Sequence, residues 1–268
     1  MSGPINEPIV TFADPPIGET VLSVGFDPIE GMTSAHVGHF QHRYLSEYSS
    51  IDEGPEYVMP IEQFSESVPN LRISIDQRTA PTRTALISAS GSEIVQVQRD
   101  WFAYNWRRQS GAKYPRYTAN REAFESTWTS FADFAETAFG VSVKPHQAEV
   151  TYVNEIQAGV ELSYSNLFTM LNQVNLGEGA ESFDNVAVKG SSLIKGQGAP
   201  IGRLHVALSP SRDRFSGQPI YLLNLTARGP VEGDFSSILS FMDIARRSIV
   251  EGFKALTTPE SHERWNLL

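Results

Sequence analysis

Between Leu71 and Arg108 the chain runs through "LRISIDQ", "RTALISAS" and "EIVQVQRDWFAYNWRR" in quick succession, three alternating segments rich in β-branched and aromatic residues. The links between them are too short for a helix, and a parallel crossover needs about a dozen residues or more, so strands joined this closely pair antiparallel. Gly91-Ser92 marks the turn before the last segment, which bends near Asp100. The same alternation recurs in "ETVLSVGF", "AEVTYVNEI", "IGRLHVALS" and "PIYLLNLTARG".

Helical periodicity falls between these groups. Thr33 or Ser34 caps a helix through "TSAHVGHFQHRYLSEY". Asn120 is expected to cap a second helix ending at Gly140, with Phe124, Trp128, Phe131, Ala135 and Ala138 along its apolar face. A third spans about Asp234 to Leu256 on a stripe of Ile238, Met242, Ala245, Ile249, Phe253 and Leu256. Thr258 before Pro259 and Glu260 starts a short terminal helix carrying Trp265. The stretch "SSIDEGPEYVMPIEQFSESVPN" reads as loop with short strands, and Leu176 to Pro200 as a loop or loosely formed hairpin. Runs of strands with helices between them predict an α+β fold, antiparallel sheet packed on long helices, with a helix-grip arrangement of the C-terminal helix as its specific form. The expected organisation is a single unit over 1–268. The alternative is two pseudo-repeated halves, about 1–157 and 158–268, hinted at by "PIGETVLSVGFDP" and "PIGRLHVALSP".

With 31 acidic against 21 basic residues, the surface as a whole is unsuited to coating nucleic acid or anionic membrane. There is no cysteine, hence no disulfide, thiolate metal site or cysteine nucleophile. The first residues show no signal-peptide pattern and no stretch reaches membrane-spanning length, so a cytoplasmic protein without a membrane partner is expected.

Three of the six histidines, His36, His39 and His42, stand three apart. On a helical projection they fall away from Val37, Phe40, Tyr44 and Tyr48, and a zinc site needs a further ligand-bearing segment to close it. A solvated face is therefore expected rather than a metal site. His205 and His262 sit in a strand and a short helix, where packing or capping accounts for them. Glu149 and Glu155 are about 20 Å apart along one strand, too far for a glycosidase pair acting alone. Nucleophile-elbow, phosphate-loop and zinc-protease motifs are missing from the sequence. No cofactor is implied.

One segment departs from the acidic background. Arg99 to Arg121 holds six Arg or Lys against one Asp, a local charge of +5 in a chain of −10, interleaved with Trp101, Phe102, Tyr104, Trp106, Tyr114 and Tyr117. Guanidinium groups beside flat aromatic rings suit bases and phosphates. Alternation along a strand, however, sends several of these rings into the core.

"QRDWFAYNWRR", "YPRY", "AEVTYVNEI", "TARG" and "GFKALTTPESHERW" together give a pattern that resembles a sporadically distributed bacterial family of conserved, uncharacterised proteins of similar length. The resemblance covers nearly the whole chain from "PPIGETVLSVGF" onwards. It implies a stand-alone protein with no assigned reaction, and sporadic distribution implies a mobile defence or toxin-immunity module. The leading expectation is thus a non-enzymatic binding or regulatory protein acting through a protein partner. Its expected contact residues are Trp106, Arg107, Arg108, Tyr114, Arg116 and Tyr117, with Asn154 and Glu155 beside them. A nucleotide- or nucleic-acid-binding protein using 99–121 is the first alternative. An enzyme assembled from scattered polar residues is the second.

Overall fold

The computed structural model describes residues 10–64, 82–157, 167–169 and 186–268. Nine strands form one antiparallel sheet: β1 (Ile17–Phe26), β2 (Ser50–Pro55), β3 (Thr82–Ile87), β4 (Glu93–Gln98), β5 (Trp101–Arg107), β6 (Pro145–Gln157), β7 (Val188–Lys195), β8 (Pro200–Arg212) and β9 (Pro219–Pro230). Their order is β2-β3-β4-β5-β1-β6-β9-β8-β7. Val95, Tyr104, Leu22, Val150 and Ala227 stand in register across five neighbouring strands and are all buried. This row shows how period-two alternation becomes a continuous apolar face.

Helices α1 (Ser34–Tyr44), α2 (Tyr117–Phe139), α3 (Phe235–Leu256) and α4 (Pro259–Arg264) supply the second layer. α2 packs on β5 and β1, α3 on β6, β9 and β8, and α1 beside α2 near β3. Under α2, Phe26, Phe102, Trp128 and Phe131 form an aromatic cluster with ring centres 5.1–6.0 Å apart. Burial of each such ring is worth about 1.5–3 kcal/mol. The α+β class with antiparallel sheet and a long C-terminal helix is as expected, although sheet dominates the described residues.

Several local expectations need correction. Asn120 is not a cap: α2 begins three residues earlier, and Asn120 is buried, its Nδ2 donating to Thr20 Oγ1 at 2.7 Å. Ala138 is exposed and Phe134 takes its place on the buried face. "EIVQVQRDWFAYNWRR" bends near Asp100 as expected, but the bend is a full turn at Arg99-Asp100 that makes two strands, β4 and β5. Of the two alternatives for Leu176 to Pro200, the hairpin holds for residues 188–195, which form strand β7 and turn back antiparallel onto β8. The first "PIG" segment opens β1, at the centre of the sheet, and the second opens β8, beside β7. The strand expected at Leu71–Gln77 lies outside the described residues.

Residues 11–14 meet residues 265–268. Phe12 bridges Leu267, Ala13 N–H donates to the Asn266 carbonyl, and Leu268 N–H donates to the Thr11 carbonyl. Phe12 is buried against Phe253, His262 and Trp265, so residues 11–14 close one end of the helical layer.

Candidate functional site

A cavity of about 260 Å³ lies between the sheet and α3 at that end. A bulge helps shape it: Gly18 is one extra residue between the pairs Ile17–Asn154 and Glu19–Val153. Ile17 and Asn154 both line the cavity from the two sides of this step. Asn154 is buried, and its Nδ2 donates to the Leu223 carbonyl at 2.9 Å. Ile249 and Phe253, a turn apart on the apolar stripe of α3, line it with the neighbouring Val250, and Phe12 comes from the N-terminal segment. The buried walls are therefore apolar apart from Asn154 and the Tyr152 hydroxyl.

The rim is polar. Tyr114, Arg116, Tyr117 and Thr118 border it from the start of α2, and Arg246 from α3. Tyr114 and Tyr152 share a hydroxyl hydrogen bond of 3.0 Å. Burial pushes both phenols up from their ordinary range, with the Arg246 and Arg116 charges opposing this for Tyr114 and Arg246 opposing it for Tyr152. Both therefore stay protonated hydroxyls at neutral pH. Arg116 is anchored, donating to the Phe12 carbonyl at 2.7 Å and the Ala13 carbonyl at 2.8 Å. Its backbone, at φ 78° and ψ 158°, is in a region otherwise occupied almost only by glycine. Arg246 lies over the Tyr117 ring, has no carboxylate within ion-pair distance among the described residues, and keeps a buried, unpartnered Nε.

No carboxylate is among the described residues lining the cavity. Arg116 and Arg246 both line it, and the N-terminus of 23-residue α2, which has no side-chain cap, adds orphan N–H donors and the positive end of its dipole. Chemically, this is an apolar chamber with a cationic, donor-rich mouth.

The basic aromatic segment divides. Tyr114, Arg116, Tyr117 and Asn154 converge on the cavity. Trp106 is buried with its ring edge-on to Tyr114, and Arg107 is half-buried, its Nε donating to the Gly91 carbonyl. Arg108 and Glu155 pair with each other on the opposite sheet face, with Asp213 3.4 Å from Arg108. Ser216 and Phe215 hydrogen-bond to Asp213, and with Arg108 they hold its carboxyl below the usual range. Phe102 and Tyr104 are core, and the Trp101 ring is covered by Tyr57. These three rings are packed, as alternation along a strand leads one to expect.

The histidines of α1 have local roles. His36 Nδ1 accepts from Thr33 N–H at 3.2 Å within the capping box, and His36 and His39 lean on the rings of Phe139 and Phe134. The side turned from the core is thus partly occupied by α2, which a single-helix projection does not contain. Among the described residues, no three His, Asp or Glu side chains are grouped so as to hold a metal ion, and no helix is long and apolar enough to cross a membrane.

Sequence reading missed Arg246 and the cavity role of Tyr152, Ile249 and Phe253. The signal available was Arg246 three residues before Ile249 and seven before Phe253, a cation beside the apolar stripe of α3. Compared with protein-family models, curated proteins and solved structures, the chain has no match.

Proposed function

We propose that the chain is a non-enzymatic binding or regulatory protein that takes a small organic anion, a carboxylate with an aliphatic or aromatic tail, into the cavity beneath α3. The observation that carries this reading is the pair Arg116 and Arg246 at the mouth of an apolar chamber with no carboxylate among its described lining residues. In this reading α3 and the sheet act as a helix grip, the tail resting on Ile249 and Phe253 and the head group meeting Arg246 and the free end of α2. A chamber of about 260 Å³ is smaller than the roughly 300–1,000 Å³ of sites for drug-sized ligands, which favours a metabolite over a nucleotide. The described lining also offers no carboxylate or histidine to serve as base, which favours binding over chemistry.

A protein partner enters as the reader of the loaded state, because Thr11 and Phe12, in the wall, belong to the segment that pairs with residues 265–268. Cytoplasmic placement and a mobile defence or toxin-immunity setting belong to the same proposal.

Thermal unfolding with hexanoate and benzoate, each against its uncharged amide, tests the anion reading. The carboxylates are expected to raise Tm, the amides not, and Arg246→Ala to abolish the difference. Equal responses of the wild type and Arg246→Ala to each carboxylate rule it out.

A further inference from the structure

The sheet face opposite α2 and α3 is crossed by residues 56–64, which follow β2 and belong to no strand. Side chains hold their backbone instead. Gln98, at the end of β4, accepts from the Tyr57 N–H at 3.0 Å and donates to the Tyr57 carbonyl at 2.9 Å. Gln147 of β6 accepts from the Glu62 N–H at 2.8 Å and donates to the Pro60 carbonyl at 2.8 Å. Both glutamines are buried. A carboxamide that both donates to and accepts from a peptide backbone grips extended chain whatever its side chains.

The sheet aligns these grips. Gln98 is opposite Trp101, Trp101 opposite Gly25, and Gly25 opposite Gln147. Three inter-strand steps of about 4.8 Å span roughly 14 Å, the reach of four extended residues at about 3.4 Å each. That is the spacing from Tyr57 to Ile61, midway between the two groups Gln147 holds. The segment is therefore an extended strap laid across the strands.

Specific contacts accompany the grips. The Tyr57 ring sits 4.8 Å from that of Trp101. Met59 lies over Gly25, where a Cβ would come within 2.9 Å of its sulfur. The Glu62 side chain, 6% exposed, meets Arg203 Nε at 3.0 Å, Arg228 at 3.5 Å, and His205. Arg228 also has Glu149 at 2.6 Å, so Arg203 and His205 are the groups most dependent on Glu62. Val58 and Ile61, 78% and 60% exposed, point away from the sheet.

We propose that this row is a peptide-binding track occupied at rest by the chain's own strap, and that it accepts in trans an extended acidic peptide of a partner protein, with an aromatic residue and, five positions on, a glutamate. The resident strap defines that chemistry through Tyr57, Glu62 and backbone otherwise read by Gln98 and Gln147. The track lies on the other sheet face from the cavity and does not depend on the anion reading.

The test uses the full chain and a labelled peptide of residues 56–64, EYVMPIEQF. Hydrogen exchange at the Tyr57 and Glu62 amides reports whether the strap is seated. Glu62→Gln, with Tyr57→Ala as a second variant in case the first disturbs folding, should speed exchange at both amides. The same variant should bind the peptide at least tenfold more tightly than the wild type, and a peptide with Gln for its second Glu should bind at least tenfold more weakly. Three results overturn the proposal: exchange that stays slow in both variants, which makes the strap a fixed part of the fold; a released strap with no saturable peptide binding; or a released strap that yields only concentration-dependent dimers, which assigns the track to a second copy.

Discussion

The guanidinium carbon of Arg246 lies 5.3 Å from the ring centre of Tyr117, while Arg246 Nε is buried without a hydrogen-bond partner. A cation held against a ring with one nitrogen short of an acceptor gives little to the fold itself and much to an arriving anion. Arg246→Ala should leave the Tm of the unliganded protein within a few degrees of wild type. Carboxylate affinity should fall roughly tenfold to a hundredfold, the equivalent of about 1.5–3 kcal/mol for a hydrogen bond to a charged group. Arg246→Lys should recover only part of it, because an ammonium lacks the planar fork. Calorimetric titration measures both, and a large loss of unliganded stability would place Arg246 in the core instead.

Arg116 combines a costly backbone with useful side-chain bonds. Its φ of 78° costs a non-glycine residue about 1–3 kcal/mol, offset by the bonds to the Phe12 and Ala13 carbonyls. Arg116→Ala loses the bonds and keeps the strain, whereas Arg116→Gly loses both. The alanine variant should be the less stable of the two by about 1 kcal/mol in urea unfolding. Equal stabilities would mean that the backbone there relaxes.

Glycines separate by what surrounds them. At Gly229 a Cβ would stand 2.3 Å from the Ile201 carbonyl oxygen and 2.6 Å from the Phe241 ring, so β9, β8 and α3 must part to admit it. Gly38, within α1, has nothing within 4 Å of such an atom. Gly229→Ala should destabilise by about 1–3 kcal/mol or more, and Gly38→Ala should stabilise by up to about 1 kcal/mol. Urea midpoints of the two variants give opposite signs if the packing is as described.

Most elements were legible because their periods are local. Leu22, Val24 and Phe26 announce a strand, and the stripe of α3 announces a helix from about Asp234, which proves to be its cap and accepts from the Ser236 and Ser237 N–H groups. The start of α2 was not, because Asn120 has the chemistry of a cap while its hydrogen-bond partner, Thr20, is a hundred residues away. The cavity was half legible. Charge and aromaticity pointed to Tyr114, Arg116 and Tyr117, yet the same signal took in Trp106, whose ring the strand turns into the core, and Arg108, which meets Glu155 on the other face. Arg246 and the strap over Gln98 and Gln147 depend on sheet order, which joins β4, β5, β1 and β6 side by side although they are distant in sequence.

Burial lowers the pKa of His262, and the charge of Lys254 adds to this. Its Nε2 lies 2.9 Å from Thr257 Oγ1, which also bonds to the Phe253 carbonyl. Phe12 packs on the other side of the ring, 5.6 Å between centres. A folded-state pKa below the unfolded value of about 6.5 means that the unfolded chain takes up the proton first as pH falls. The contribution of His262 is therefore fully present above about pH 6.5 and is lost as pH drops towards the folded value. Between pH 7 and 5.5 the wild type should lose more unfolding free energy than His262→Gln, whose side chain does not titrate. Because Phe12 is both a neighbour of His262 and a wall of the cavity, carboxylate affinity should weaken over the same interval in the wild type and less in the variant. Urea unfolding and calorimetric titration at the two pH values decide it: parallel losses would show that His262 is not the group that titrates.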